Sequence, residues 1–342
     1  MSHKLLTELD TTGAFGSSPN NQLEDLFVPF QELVGVEVEG RLRTLALEAR
    51  RVAVIGPSGC GKSSLSGYVT RVRPFASIEI PVNSDPEVAR DEKLFGQHLV
   101  RAIRRWGEAH GAIDPEDVKR AKAEASDREE RPGGRSTTKY GGGADFVVIK
   151  ADLGRELAEE GAKINLTIPT TEVAAVARRM LDFVRYREIT PVIVVDDSDR
   201  WLSDADKDTV DVFFGRILRW VAALDTAVIV AVHEGYQSAP GYKQARGEGW
   251  VEEEIWLPAL AEPGQLGQIL GKRIDHATGR RLDEVFEESA VEELFRYYQG
   301  DGKLSLRRTL TVSQEAARQA AKDPEAKLIT SGATRAAIAA FV

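Results

Sequence analysis

Residues 52 to 63 read Val52-Ala53-Val54-Ile55-Gly56-Pro57-Ser58-Gly59-Cys60-Gly61-Lys62-Ser63. The apolar run predicts a buried strand, the glycine-rich stretch a tight turn, and the residues from Lys62 onward a helix. Gly56 and Gly61 let the backbone fold around an anion with its N–H groups pointing inward, and the helix behind adds the positive end of its dipole. In such a loop a lysine at position 62 reaches the β- and γ-phosphates, and the Ser63 hydroxyl ligands Mg²⁺. The expected cradle is Gly56, Pro57, Ser58, Gly59, Cys60, Gly61, Lys62, Ser63 and Ser64, with ATP and Mg²⁺ as its ligands. Cys60 is read as a small filler of the loop.

At 342 residues the chain is long enough for one large domain or two ordinary ones, so a second, smaller domain is expected. Its 42% apolar and 29% charged content is that of a globular protein in water. No apolar run approaches the roughly 20 residues of a membrane helix. Residues 1–8 lack an apolar signal core, and the single cysteine makes no intrachain disulfide, so a cytoplasmic location without a membrane partner is expected. A net charge of −9 excludes a uniformly basic nucleic-acid binder but leaves room for a local basic surface.

The second landmark is Pro191-Val192-Ile193-Val194-Val195-Asp196-Asp197-Ser198-Asp199-Arg200-Trp201. Its β-branched run predicts a buried parallel strand ending in carboxylates at the sheet edge where α/β folds place ligands. Coupled to the P-loop this is a Walker B pattern, in which Asp196 holds Mg²⁺ and Asp197 orients the attacking water.

The interval from Lys62 to Asp196 exceeds one strand and one helix. Residues 76–83 read as the next strand and 91–106 as a helix, while 114–143, dense in charge and glycine, are expected to form a mobile loop. Two β-prone runs, 146–150 and 163–168, suit an inserted antiparallel unit of open function. Helical spacing returns at 173–184. Ser203 and Asp206 look like a capping box opening another helix. Residues 226–233 form a strand that ends in His233 at the same edge as Asp196, where a histidine faces a γ-phosphate. Beyond residues 255–260 come helical patterns at 265–274, 289–299 (with Ser289 and Glu292 as a capping box), 304–321 and 333–341. Lys303, Arg307 and Arg308 follow Gly300-Asp301-Gly302, within reach of a nucleotide between the domains. The expected fold is α/β, a P-loop NTPase core of parallel sheet with a C-terminal helical lid. The expected boundaries are 1–32 for an N-terminal extension, 33–258 for the core with an insertion at about 112–170, and 259–342 for the lid.

This order of elements resembles the AAA+ ATPases, particularly the origin-recognition-like initiator clade, from about residue 33 onward. Leu33-Val34-Gly35-Val36-Glu37-Val38-Glu39 looks like the family's entry motif, with Val36 where an arginine is usual. The resemblance makes Asn83 the residue that restrains the catalytic carboxylate and His233 the sensor 1 residue. It makes Lys303 the sensor 2 cation in place of arginine, and Arg246 a finger for a neighbouring subunit's nucleotide, with Arg216 and Arg219 behind it. Asp197 replaces the usual glutamate, and the acidic run of residues 196–200 looks more like the Walker B of KAP and STAND signalling NTPases, which implies slow hydrolysis. The P-loop also resembles that of ABC transporter ATPases, but their Leu-Ser-Gly-Gly-Gln signature is missing. The resemblance implies an ATP-hydrolysing homo-oligomeric switch or motor with protein or DNA as candidate partners. The alternative it leaves open is a slowly hydrolysing signalling or scaffold NTPase in a defence system.

Overall fold

A computed structural model describes residues 2–16, 23–82, 86–129, 146–149, 166–169, 173–196, 198, 201 and 207–341. Four helices open the chain: α1 (Ser2–Thr12), α2 (Leu23–Leu26), α3 (Phe30–Val34) and α4 (Val38–Leu47). Then come β1 (Arg51–Gly56), α5 (Lys62–Thr70), β2 (Phe75–Pro81), α6 (Glu92–Ala109) and α7 (Pro115–Glu129). The short strands β3 (Phe146–Ile149) and β4 (Leu166–Pro169) precede α8 (Val173–Arg185) and β5 (Thr190–Asp196). Next are α9 (Lys207–Val212) and α10 (Leu218–Ala222), joined by a π-helical turn at Phe213–Ile217, then β6 (Ala227–His233), α11 (Pro240–Gly247) and β7 (Glu253–Trp256). Four helices follow: α12 (Pro263–Thr278), α13 (Glu288–Gln299), α14 (Leu306–Ala321) and α15 (Ser331–Ala339).

Five strands pair in the order β2-β5-β6-β1-β7, every neighbouring pair parallel. Their continuous apolar runs follow from burial on both faces. In β1, Ala53 and Ile55 enter a core shared with Phe95, Leu99, Met180 and Phe213, whereas Val52 and Val54 enter a second core with Leu42, Ala46, Leu65 and Val69. This period of two sets α6, α8 and the π-turn on one face and α4 and α5 on the other. The architecture is thus a P-loop NTPase α/β sheet, with a helical region at the C-terminal end.

That helical region has its own core, built from α12, α13, α14 and α15, and it takes in Leu6, Leu9 and Phe15 from the N-terminus. Phe15 meets Phe286 edge-on, with ring centroids 5.7 Å apart. Residues 5–15 therefore pack with the C-terminal helices.

Two sequence expectations need correction. Residues 115–129, expected as part of a mobile loop, form α7: Val118 and Ala121 are buried in the sheet-side core with Phe183 and Val184, and the Arg120 guanidinium lies 5.8 Å over the Phe183 ring. Two small apolar residues one turn apart and a reciprocal pair of bonds between Asp114 and Asp117 at its start hold a largely charged helix, which a composition argument overlooks. Ser289 does not cap α13, which starts at Glu288, because Glu287 N donates to Ile329 O and fixes the chain entry earlier. A capping box occurs instead on α12, between Glu262 and Gln265. The Ser203 and Asp206 pair lies outside the described residues, while residues 146–149 and 166–169 do pair antiparallel.

Val118→Asp places a carboxylate in the contact between α7 and α8 and should cost about 2–4 kcal/mol. Thermal unfolding followed by circular dichroism should show a lower midpoint; an unchanged midpoint would mean that α7 does not pack there.

Candidate functional site

The sheet register puts Gly56 beside His233, and Asp196 one strand further along, so the ends of β1, β6 and β5 share one carboxyl edge. After Gly56 the chain turns through Gly59 and Gly61, at φ of 76° and 111°. Both angles lie in the region that glycine adopts without Cβ strain. The buried Lys62 folds back across the loop, its Nζ donating to Gly56 O at 3.0 Å and to Pro57 O at 2.8 Å. Ser63 Oγ donates to Asp196 Oδ1 at 3.0 Å. A hydroxyl and a carboxylate so placed are hard oxygen donors suited to Mg²⁺, which takes one or two protein oxygens and completes its shell with phosphate and water. Among the described residues no group of three or more His, Cys, Asp or Glu gathers as a metal site.

A second helix meets the loop. Gly59 O accepts from Arg307 N at 3.1 Å, in the first turn of α14. A Cβ at Gly59 would lie 2.4 Å from Ser305 Oγ and 2.9 Å from Arg307 Cβ, so the contact exists only because residue 59 is glycine. Ser305 caps α14 by accepting from Arg308 N. Neither α5 nor α14 has an acidic residue in its first turn. Lys62 opens the one, and Arg307 and Arg308 lie in the first turn of the other. Cations at helix N-termini oppose the macrodipole by about 0.3–1 kcal/mol each, and an anion between the two ends relieves the conflict.

Between these elements lies a cleft of about 560 Å³, within the usual range for small-molecule sites. Gly59 to Ser64 and Asp196 line its polar end, Phe27, Phe30, Ile269 and Leu310 its apolar wall, and Arg273 and Arg307 the side facing α12 and α14. Burial holds the Arg273 guanidinium below its ordinary pKa.

The other candidates are more dispersed. Asp197 and Asn83 lie outside the described residues. His233 Nδ1 accepts from Gly235 N at 3.0 Å, which leaves the neutral ring's proton on Nε2, and the ring does not line the cleft. Lys303 stands in a turn at φ of 50° and does not line the cleft, whereas Arg307 does. Arg246 Nε pairs with Glu254 at 3.1 Å, and its NH1 donates to Val251 O and Glu252 O at 3.2 and 2.9 Å. Tyr242 Oη donates to the same carboxylate at 2.7 Å, and burial raises the phenol's pKa. Arg216 pairs with Glu92 at 2.8 Å, and Arg219 lies 6.0 Å over the Trp250 ring. Arg273 and Phe27 had no local sequence signal; Phe27 reaches the cleft from the N-terminal segment.

No protein-family model matches the chain, and no curated protein matches it in sequence. Among solved structures, the RuvB Holliday junction branch migration motor of Thermotoga maritima is similar over 93% of this chain and 73% of its own, with a TM-score of 0.41 and 12% identity. A single-site variant of that motor matches over the same shares with a TM-score of 0.40 and 13% identity. Neither likeness bears on the chemistry of the site.

Arg246→Ala removes an ion pair and two carbonyl contacts, and should lower the unfolding free energy by about 1–2 kcal/mol. Urea titration checks this; an unaltered transition would mean that these bonds do not hold α11 to β7.

Proposed function

We propose that the protein binds Mg·ATP between its sheet and its helical region and hydrolyses it as an AAA+-type ATPase, the helical region acting as a lid. The observation that carries this reading is that α5 and α14 both start at the P-loop, α14 through the bond from Arg307 N to Gly59 O, with cations and no acid in their first turns. In this reading the loop amides and Lys62 hold the β- and γ-phosphates, and Ser63 and Asp196 hold Mg²⁺, which when bound neutralises charge on the phosphate oxygens. Arg307 takes the lid cation's role that the family resemblance gave to Lys303. Asp197 orients the attacking water, and His233, at the end of β6, is kept as the sensor 1 residue of the family resemblance. Homo-oligomeric assembly and action on DNA or a protein partner belong to the same proposal.

A second reading is a nucleotide-loaded switch of the STAND or KAP kind that turns over slowly. It is favoured by Arg246, which must leave Glu254 and two carbonyls before it can serve a neighbouring subunit. Specific ATPase activity that rises with protein concentration supports the first reading, and slow, concentration-independent turnover the second.

Lys62→Ala should weaken ATP binding about 100-fold or more in a calorimetric titration, because a charged hydrogen-bonding group is lost from a desolvated site. Arg307→Ala should weaken binding or slow turnover about tenfold, with Lys303→Ala close to the parent. Unchanged affinity in Lys62→Ala would refute the proposal, and a larger effect at Lys303 than at Arg307 would return the lid role to Lys303.

A further inference from the structure

Helix α14 joins the P-loop to the N-terminus. Arg307 N donates to Gly59 O at one end. Two turns further on, Gln314 Oε1 accepts from Phe15 N at 3.1 Å and Gln314 Nε2 donates to Leu9 O at 3.3 Å. Helix α12 makes a parallel link: Arg273, which lines the cleft, donates to Gly16 O at 3.0 Å, and Lys272 Nζ donates to Phe27 O at 2.8 Å. Phe15 and Gly16 themselves line the cleft. Residues 27–33 then stitch the two bodies together, with Phe27 and Phe30 in the P-loop-side core and Val28 and Leu33 in the helical core. Phe27 stacks on Tyr68 of α5 at 4.5 Å.

We propose that the N-terminal helix α1, with the turn to Gly16, is a clamp that sets how long the nucleotide stays bound. The proposal rests on the ATP reading above. Docked on α12 and α14, the clamp holds the end of α14 against Gly59; undocked, it lets the lid leave the P-loop. If only the docked state is competent, apparent affinity scales with its population, so loosening the dock speeds release. By reciprocity, bound nucleotide tightens the dock. Gln314 is the positioning residue: it does not line the cleft and acts through Leu9 and Phe15.

The full-length protein is tested in two ways. Hydrogen exchange is measured over residues 5–16 with and without Mg·ATP, and the dissociation rate of a fluorescent ATP analogue is measured by stopped-flow chase. In the parent, Mg·ATP should slow exchange in α1. Gln314→Ala should raise the dissociation rate about five- to thirtyfold, the worth of two neutral hydrogen bonds, with little change in the association rate. Gln314→Glu keeps the acceptor for Phe15 N but sets a carboxylate oxygen against Leu9 O, and should also release nucleotide faster than the parent. A merely structural Gln314 would shift thermal stability and leave the dissociation rate alone. Nucleotide binding without any change in α1 exchange, or a parental dissociation rate in Gln314→Ala, would overturn the clamp and spare the ATP reading. A parent that fails to bind the analogue would remove both.

Discussion

Two helices start at the P-loop, α5 at Lys62 and α14 where Arg307 N donates to Gly59 O, and both carry cations where the helix dipole is already positive. That conflict shapes the centre of the molecule. The Lys62 ammonium donates to the carbonyls of Gly56 and Pro57, and Arg307 is exposed in the first turn of α14. The loop tolerates the approach of α14 because Gly59 lacks a Cβ and adopts a positive φ. An oxyanion of phosphate size, carrying more than one negative charge, answers both helices at once.

The sheet provides the rest of the geometry. Ser63 and Asp196 are 133 residues apart and still bond, because β6 is the single strand between β1 and β5 and all three run parallel towards the same sheet edge. The same edge receives the N-terminal segment, whose alternate side chains belong to different cores. Helical region, P-loop and N-terminus are therefore mechanically continuous, and close packing carries a displacement in one to the others.

What was legible in the sequence was local. The strand, loop and helix around Lys62 follow from neighbouring residues, as do the β-branched runs ending at Asp196 and His233. The helix at residues 115–129 is hard to read from composition because the buried apolar residues described in it, Val118 and Ala121, are set in a charged stretch. The resemblance points to Lys303 as the sensor 2 cation; Lys303 and Leu304 take positive φ, at 50° and 57°, α14 starts at Leu306, and of the cations after this turn it is Arg307 that lines the cleft. The docking of α1 was illegible for another reason, since the Phe15–Gln314 bond joins residues 299 apart and no periodicity encodes such a partner.

The most direct test is an experimental structure with Mg²⁺ and a non-hydrolysable ATP analogue. The account predicts phosphates in the loop from Gly56 to Ser63, a metal ion touching Ser63 Oγ and approached by Asp196, and the Arg307 guanidinium turned onto the γ-phosphate. An analogue bound elsewhere, or one seated in the loop with Arg307 pointing to solvent and α14 withdrawn from Gly59, would contradict it.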